Sequence, residues 1–283
     1  MKSWPNGKRI AIAVTSPFET WADGTAPQYT VHATNLRPGQ VDYAGKKWSE
    51  YGGNVGVWRI LGLLDRCKIP ATFAMNARCA ELYPDAAAAI LRAGHEIAAH
   101  GYTQDQLQVY MTPEEERTAI RRSLDVIEST TGARPRGWYS PVLSFTEHTH
   151  GIAASEGLLY HGDAADFDLP LLTEAGGKPI VAFPATDFSD NRVLRASPRV
   201  LLDVYKDTFD YLYRNEPLAM LGIAIHCHAG GRAPIAAMFE QIFEYFGGFS
   251  DVWFARAVDV AQYVFDNGLD QTSAAARLYP NAK

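Results

Sequence analysis

Hydrophobic residues recur along the chain in two alternating patterns. Short apolar runs, often β-branched, alternate with longer stretches in which apolar residues return every three or four positions. The first pattern predicts buried strands and the second predicts amphipathic helices. Strands are predicted at residues 9–15, 71–75, 96–99, 158–161, 218–226 and 252–254. Helices are predicted at residues 57–68, 84–93, 112–131, 146–156, 198–215, 234–246 and 257–267.

The order of these elements indicates the fold class. Alternating strands and helices form mostly parallel sheets through right-handed crossovers, and about seven such units favour a barrel. We therefore expect an α/β protein with a single distorted (β/α) barrel as its one domain over residues 1–283. Residues 16–53 carry many Gly, Pro, Asn and Thr residues without clear periodicity, which predicts a long loop at a pocket rim. Residues 274–283 are expected to form a tail.

Composition narrows the functional classes. Hydrophobic residues make up 47% and charged residues 20%, as in ordinary globular proteins, and 26 Lys and Arg against 32 Asp and Glu give a net charge of −6. We therefore do not expect the protein to bind nucleic acid or anionic membranes through its net charge. We expect a small-molecule substrate instead. Three cysteines without C-x-x-C spacing and the absence of an apolar run of about 18 residues favour a cytoplasmic protein.

Polar residues cluster where the predicted strands end. Because active sites of parallel α/β folds lie at the carboxyl ends of the strands, these residues are expected to lie close together. Several such residues at successive strand ends favour a functional site over isolated structural side chains. They are Ser16, Glu19, Asp23, His100, Tyr139, the segment Asp163 to Asp168 (with Asp166 and Asp168), His226 and His228.

Four segments in the same order resemble the polysaccharide deacetylase family, a group of N-deacetylases with a distorted (β/α) barrel. They are IPATF at 69–73, AGHEIAAHGYTQ at 93–104, RPRGWYSP at 134–141 and AIHCH at 224–228. Other segments resemble the branch that contains the metal-independent allantoinase and related cyclic amide and imide hydrolases. These are WSEYGGNVGVWRIL at 48–61, DFDLP at 166–170 and VWFAR at 252–256. The resemblance implies hydrolysis of carbon–nitrogen bonds other than peptide bonds, and a homo-oligomer, commonly a tetramer.

The metal ligands of the family are largely missing. Its deacetylases carry two aspartates in a TFDDG-like motif, where this chain reads VTSPFE at 14–19. Its His-(Ser/Thr)-x-x-His motif ends here in Gln104, so only His100 of the Asp-His-His set is kept. Because zinc usually takes three N, O or S ligands from the protein, no cofactor is expected. The alternative is a rebuilt zinc site that combines His100 with His226 or His228.

The resemblance implies roles for individual residues. His226 matches the family's last motif, whose histidine acts as an acid, and would protonate the leaving nitrogen. Glu19 is the carboxylate nearest to the lost aspartates and is the candidate base. His100 and Tyr139 complete the candidate catalytic set, Tyr139 standing where deacetylases usually have Arg. The candidate substrate-binding residues are Ser16, Trp48, Glu50, Tyr51, Gln104, Asp166, Asp168 and His228.

Three functions follow from these observations. The first is a hydrolase that opens a small cyclic amide, ureide or imide without a canonical metal triad. The second is an N-deacetylase of an acetylated sugar or small amide with a rebuilt metal site. The third is a deacetylase-like binding protein without catalysis. Metal content and turnover of cyclic ureides, imides and acetamides distinguish the three.

Overall fold

The structure is a computed structural model that describes residues 3–31, 36–37, 39–268 and 278. Its strands are β1 (Ile10–Phe18), β2 (Thr72–Met75), β3 (Glu96–Ala99), β4 (Gly137–Trp138), β5 (Tyr160–Ala164), β6 (Leu171–Ala175), β7 (Lys178–Pro184), β8 (Ala219–Ala224) and β9 (Val252–Ala255). Its α-helices are α1 (Tyr43–Tyr51), α2 (Val57–Cys67), α3 (Ala77–Leu82), α4 (Pro84–Arg92), α5 (Pro113–Thr131), α6 (Thr149–Ser155), α7 (Arg199–Asn215), α8 (Ala233–Gly247) and α9 (Ala257–Asn267). The expected tail at 274–283 lies outside the described residues apart from position 278.

The strands form one curled sheet in the order β6-β7-β5-β4-β3-β2-β1-β8, and β9 also pairs with β1. All strand pairs are parallel except β6 with β7. Among the described residues, the end strands β6 and β8 do not pair with each other, so the sheet is an open, curled half-barrel. The predicted α/β barrel is confirmed in this distorted form.

Side-chain size along the strands explains why the sheet encloses a cavity. On β1, Ile10, Ile12 and Val14 point into the large core between sheet and helices. The residues between them on β1 face the inside of the curled sheet, and Ala13, a small residue, is one of these. Inward-facing positions on the neighbouring strands are also small: Ala74, Gly162, Gly222 and Ala224. Because side chains alternate between the two faces of a strand, this pattern fills the outer layer and leaves space inside the curl.

The predicted loop at 16–53 is shorter than expected. Strand β1 continues through Phe18, because residues Thr15–Phe18 align with β2. Helix α1 comes next along the chain, and the Asp42 side chain accepts a hydrogen bond from the Gly45 amide at 2.9 Å at its start. A π-helical segment, Gly52–Gly56, joins α1 to α2. A side chain at Gly56 would overlap the Cys227 carbonyl oxygen, so glycine permits this close approach.

Strands β6 and β7 form a hairpin that the sequence pattern does not predict. Its turn is Gly176-Gly177, with both glycines at positive φ of 58° and 73°. None of the described helices combines the length and the apolar character that a membrane crossing requires.

Candidate active site

A cavity of about 350 Å³ opens at the carboxyl ends of the strands. Five of the residues predicted for the site line it: Glu19, His100, Gln104, Tyr139 and His226. They follow β1, β3, β4 and β8, as expected for strand ends that meet at one edge of a parallel sheet. The volume lies at the lower end of the range for small-molecule sites.

Glu19 is the centre of the site. Its side chain is 3% exposed, and its Oε1 lies 3.3 Å from His100 Nε2 and 3.9 Å from His226 Nε2. Its Oε2 lies 3.6 Å from His228 Nδ1. Burial alone would raise the pKa of Glu19, but the charge of His226 and the hydrogen bond from His100 outweigh it and lower that pKa to about 2. The carboxyl group is therefore ionised at neutral pH.

His226 is held by a second carboxylate, Asp190. His226 Nδ1 donates to Asp190 Oδ1 at 2.6 Å, and the His226 amide donates to Asp190 Oδ2 at 2.8 Å. Burial opposes protonation, but the charges of Asp190 and Glu19 outweigh it and raise the pKa of His226 to about 9. At neutral pH the imidazole carries both protons, and its Nε2–H faces Glu19 at the cavity wall.

His100 is oriented by the backbone of the next strand end. Its Nδ1 donates to the Tyr139 carbonyl oxygen at 2.9 Å, which turns Nε2 toward Glu19. Asn76, fully buried directly after β2, donates to the His100 carbonyl oxygen and accepts from the Thr20 amide at 2.9 Å. Asn76 thereby ties the ends of β1, β2 and β3 together. Asn76 is not among the predicted site residues, although a polar residue directly after a predicted strand is a usable signal.

The turn after β4 forms another wall of the cavity. The Ser140 amide and hydroxyl both donate to the buried carboxylate of Asp163 at 2.8 Å. Val142 and Leu143 line the cavity in left-handed conformations, with φ of 53° and 54°. A β-branched residue rarely adopts this conformation, and such strain concentrates at functional sites. The Tyr139 hydroxyl lies 3.5 Å from Thr15 Oγ1 on the same wall.

Two residues predicted to bind substrate are buried behind the cavity instead. Ser16 lies on the face of β1 opposite to Thr15 and Pro17, and its hydroxyl donates to the Ile225 carbonyl oxygen at 2.9 Å. His228 lies beyond the end of β8 with a side chain 0% exposed, behind Glu19. The period of two explains the position of Ser16, because only the odd positions of β1 face the cavity.

Five further predicted binding residues do not line the cavity, and their role in binding stays a prediction. Trp48, Glu50 and Tyr51 lie on α1, within the segment 16–53 for which the sequence pattern predicts a loop. Trp48 packs on His228, Glu50 pairs with Lys47 at the surface, and the Tyr51 ring lies under the Arg232 guanidinium. Asp166 and Asp168 line a neighbouring depression between β5 and β6. They follow β5, and the residues Pro184 to Asp187 after β7 line both this depression and the cavity.

Two residues gain a role that the sequence does not indicate. The Tyr29 hydroxyl lies 3.0 Å from His228 Nε2. Tyr29 belongs to a segment without periodicity, so no sequence signal could have placed it. Asp190 contacts His226 across 36 positions, and no local pattern indicates such a contact.

The described residues do not fit the zinc site that the family resemblance implies. No three ligand atoms of Glu19, His100, His226 and His228 come within 4.8 Å of one another, whereas zinc ligands surround one point at about 2.0–2.1 Å. The three imidazoles face a carboxylate rather than a common point. The rebuilt zinc site expected as an alternative is therefore not preformed by these residues.

A second group, His150, His161 and Asp163, has ligand atoms within 4.8 Å of one another. Its two imidazole rings stack at 3.6 Å between centroids and 11° between planes. Nitrogen lone pairs lie in the ring planes, so stacked rings direct them in parallel and not toward one ion. This group therefore supports the Ser140 turn through Asp163 and presents no converging metal ligands.

Known proteins resemble this chain in sequence and in fold. The family model for polysaccharide deacetylase matches residues 50–161. A peptidoglycan deacetylase from Helicobacter pylori is 25% identical over 231 residues, which cover 69% of this chain and 78% of that protein. A CE4 family pseudoenzyme from Bacillus anthracis, at 17% identity and a TM-score of 0.53 over 91% of this chain and 66% of its own, shares the fold alone.

The crystal structure of Puue allantoinase is similar over nearly the whole length. It superposes with a TM-score of 0.84 at 31% identity, covering 94% of this chain and 93% of that chain. The likeness includes the curled parallel sheet that carries Glu19, His100 and His226 at its strand ends. The chain therefore belongs to the polysaccharide deacetylase family and is a hydrolase of carbon–nitrogen bonds other than peptide bonds.

Proposed function

We propose that the protein opens the ring of a small cyclic amide, ureide or imide by hydrolysis, without a catalytic metal ion. The observation that carries this proposal is the pairing of an ionised Glu19 with a protonated His226 at 3.9 Å on the wall of a small cavity. Hydrolysis of a C–N bond needs a base for water and an acid for the leaving nitrogen. The two groups supply both, and the similarity to an allantoinase supports a ring substrate.

The reaction follows from the charges of this pair. Glu19 accepts a proton from water as the water oxygen attacks the ring carbonyl carbon, and His226 Nε2–H gives its proton to the ring nitrogen as the C–N bond breaks. The product is one open chain that bears a new carboxyl group and a new N–H. A carboxylate whose pKa is about 2 is a weak base, but the charge of His226 is the main influence that lowers it. Glu19 therefore becomes a stronger base as His226 loses its proton.

N-deacetylation is the second candidate, because a peptidoglycan deacetylase matches over most of its length. The same base and acid would release acetate from an acetamide. The cavity volume of about 350 Å³ favours a small ring over a polymer strand. The inactive binding protein is the weaker alternative, because a protein without catalysis has no need of an oppositely charged base and acid in one cavity.

A substrate panel tests the proposed function. Purified protein is assayed on allantoin, hydantoin, dihydrouracil, succinimide and N-acetylglucosamine oligomers, before and after treatment with a chelator, with its metal content determined by elemental analysis. We expect ring opening at a rate unchanged by metal removal. Release of acetate without ring opening would support the deacetylase instead, loss of activity on metal removal would refute the metal-free mechanism, and a protein inert on the whole panel would refute both activities.

Asp190→Asn is expected to shift the alkaline limb of the pH profile. His226 acts as an acid only while protonated, so activity is lost as pH rises through its pKa of about 9. Removing the negative charge of Asp190 lowers that pKa, and the limb moves to lower pH by about one unit or more. The measurement is kcat/KM against pH for the wild type and the variant. Asp207→Asn, on the exposed face of α7, removes the same charge far from the site and should leave the limb in place.

A further inference from the structure

His228 contributes a polar contact to the site from a position that substrate cannot reach. Its side chain is 0% exposed and does not line the cavity. Its Nδ1 lies 3.6 Å from Glu19 Oε2, and its Nε2 lies 3.0 Å from the Tyr29 hydroxyl. Neither Glu19 Oε2 nor His228 Nδ1 has a hydrogen-bond partner among the described residues. The two atoms face each other at 3.6 Å, and the Tyr29 hydroxyl also lies near enough to Glu19 for that carboxylate to add to the effect of burial and raise the pKa of Tyr29.

The chemistry of these contacts selects one tautomer of His228. If Nδ1 carried a lone pair, it would face the negative Glu19 Oε2 at 3.6 Å, which is repulsive. A proton on Nδ1 makes the contact attractive, and Nε2 then accepts the Tyr29 hydroxyl proton. Burial, the main influence on this imidazole, lowers the pKa of His228 to about 4, so it is neutral at physiological pH. A neutral ring has one N–H, and the geometry directs it at Glu19.

The surroundings keep this imidazole from turning. Ring centroids of Trp48, Trp21 and Tyr29 lie 5.1, 5.5 and 5.9 Å from that of His228. The His228 carbonyl oxygen accepts from Arg232 Nε at 3.0 Å, and Gly52 packs close to the His228 amide. A ring enclosed by three aromatic neighbours and held through its backbone can fix the direction of a neighbouring group.

We propose that Tyr29 and His228 form a positioning pair that assigns different tasks to the two oxygens of Glu19. His228 Nδ1–H holds Oε2 from the side opposite to the cavity, and Oε1 is left facing His100, His226 and the attacking water. The pair touches neither substrate nor water, so both members are positioning residues. This inference rests on the proposed function for its catalytic consequence, whereas the tautomer itself does not depend on any substrate.

Two substitutions at position 228 separate positioning from packing. The amide nitrogen of Asn can stand where His Nδ1 stands, whereas that of Gln reaches the place of Nε2. We therefore expect His228→Asn to keep kcat for ring opening within about 5-fold of the wild type. His228→Gln should lower kcat by about 10²-fold with KM within about twofold, because a misdirected base costs rate and not binding. Tyr29→Phe, which keeps the aromatic packing, should lower kcat by about 10-fold.

The tautomer is tested without substrate. Long-range ¹H–¹⁵N spectra of the labelled full-length protein report which ring nitrogen of His228 bears the proton, and the signal is assigned by its absence in His228→Asn. We expect the Nδ1–H form in the wild type. The Nε2–H form, or equal losses of kcat in His228→Asn and His228→Gln at equal thermal stability, would overturn the positioning pair. A wild type with the Nδ1–H form that opens no ring would refute the proposed function and leave the tautomer assignment intact.

Discussion

Glu19→Gln is expected to lower kcat/KM for ring opening by about 10³-fold or more. Glutamine has the shape of the glutamate side chain but cannot take a proton from water, and general-base catalysis contributes about 10²–10⁴-fold. The loss should lie toward the upper end, because the substitution also removes one of the two negative charges that keep His226 protonated. Steady-state kinetics on the best substrate of the panel measures the effect.

An exposed glutamate is the matched control for Glu19→Gln. The Glu147 side chain is 87% exposed and does not line the cavity. Glu147→Gln should therefore leave kcat/KM within about twofold of the wild type. If Glu19→Gln retained a tenth or more of the wild-type activity while folding normally, Glu19 would not be the base, and water would have to be activated by another group.

His226→Gln is expected to lower kcat/KM by about 10²–10⁴-fold, by an amount that depends on the leaving nitrogen. An imide nitrogen shares its developing negative charge with a second carbonyl group and needs less help from an acid than the nitrogen of a saturated amide. The loss should therefore be larger for 2-pyrrolidinone, a cyclic amide whose nitrogen carries no second carbonyl group, than for succinimide. The ratio of wild-type to variant kcat/KM on the two substrates measures this difference.

His148→Gln is the control for the removal of a histidine away from the site, because His148 is an exposed residue beside α6. That variant should behave as the wild type. Equal losses in His226→Gln on the imide and on the amide would contradict the role of His226 as the acid. His226 would then act on the carbonyl oxygen, where both substrates need the same stabilisation.

The sequence predicts the fold and the centre of the site because both depend on short-range patterns. The alternation of strands and helices is visible within windows of ten residues, and parallel strands bring their carboxyl ends together whatever loops they carry. Glu19, His100 and His226 follow predicted strands directly, so their convergence could be expected. Gln104 and Tyr139 line the cavity for the same reason.

Positions that depend on long-range contacts do not follow from the sequence pattern. The motif of Trp48 and Tyr51 resembles a branch of the family and favours the pocket, whereas α1 places them against His228 and Arg232. Tyr29 meets His228 across 199 positions, and no local pattern encodes that contact. Ser16 differs from these residues, since the period of two within β1 already places it on the face opposite to Thr15.

The central position of β1 in the sheet has a consequence for synthesis of the protein. Ile10 aligns with Ala219 of β8 and also with Val252 of β9, so both edges of this strand are completed only by late segments of the chain. A nascent chain that ends before these segments exposes an apolar strand with open edges, and such non-local parallel pairings form slowly. The strand that leads to the proposed base is made before β8 and β9 and is enclosed only after both have been made. We therefore expect growing chains to depend on chaperones until β9 has left the ribosome.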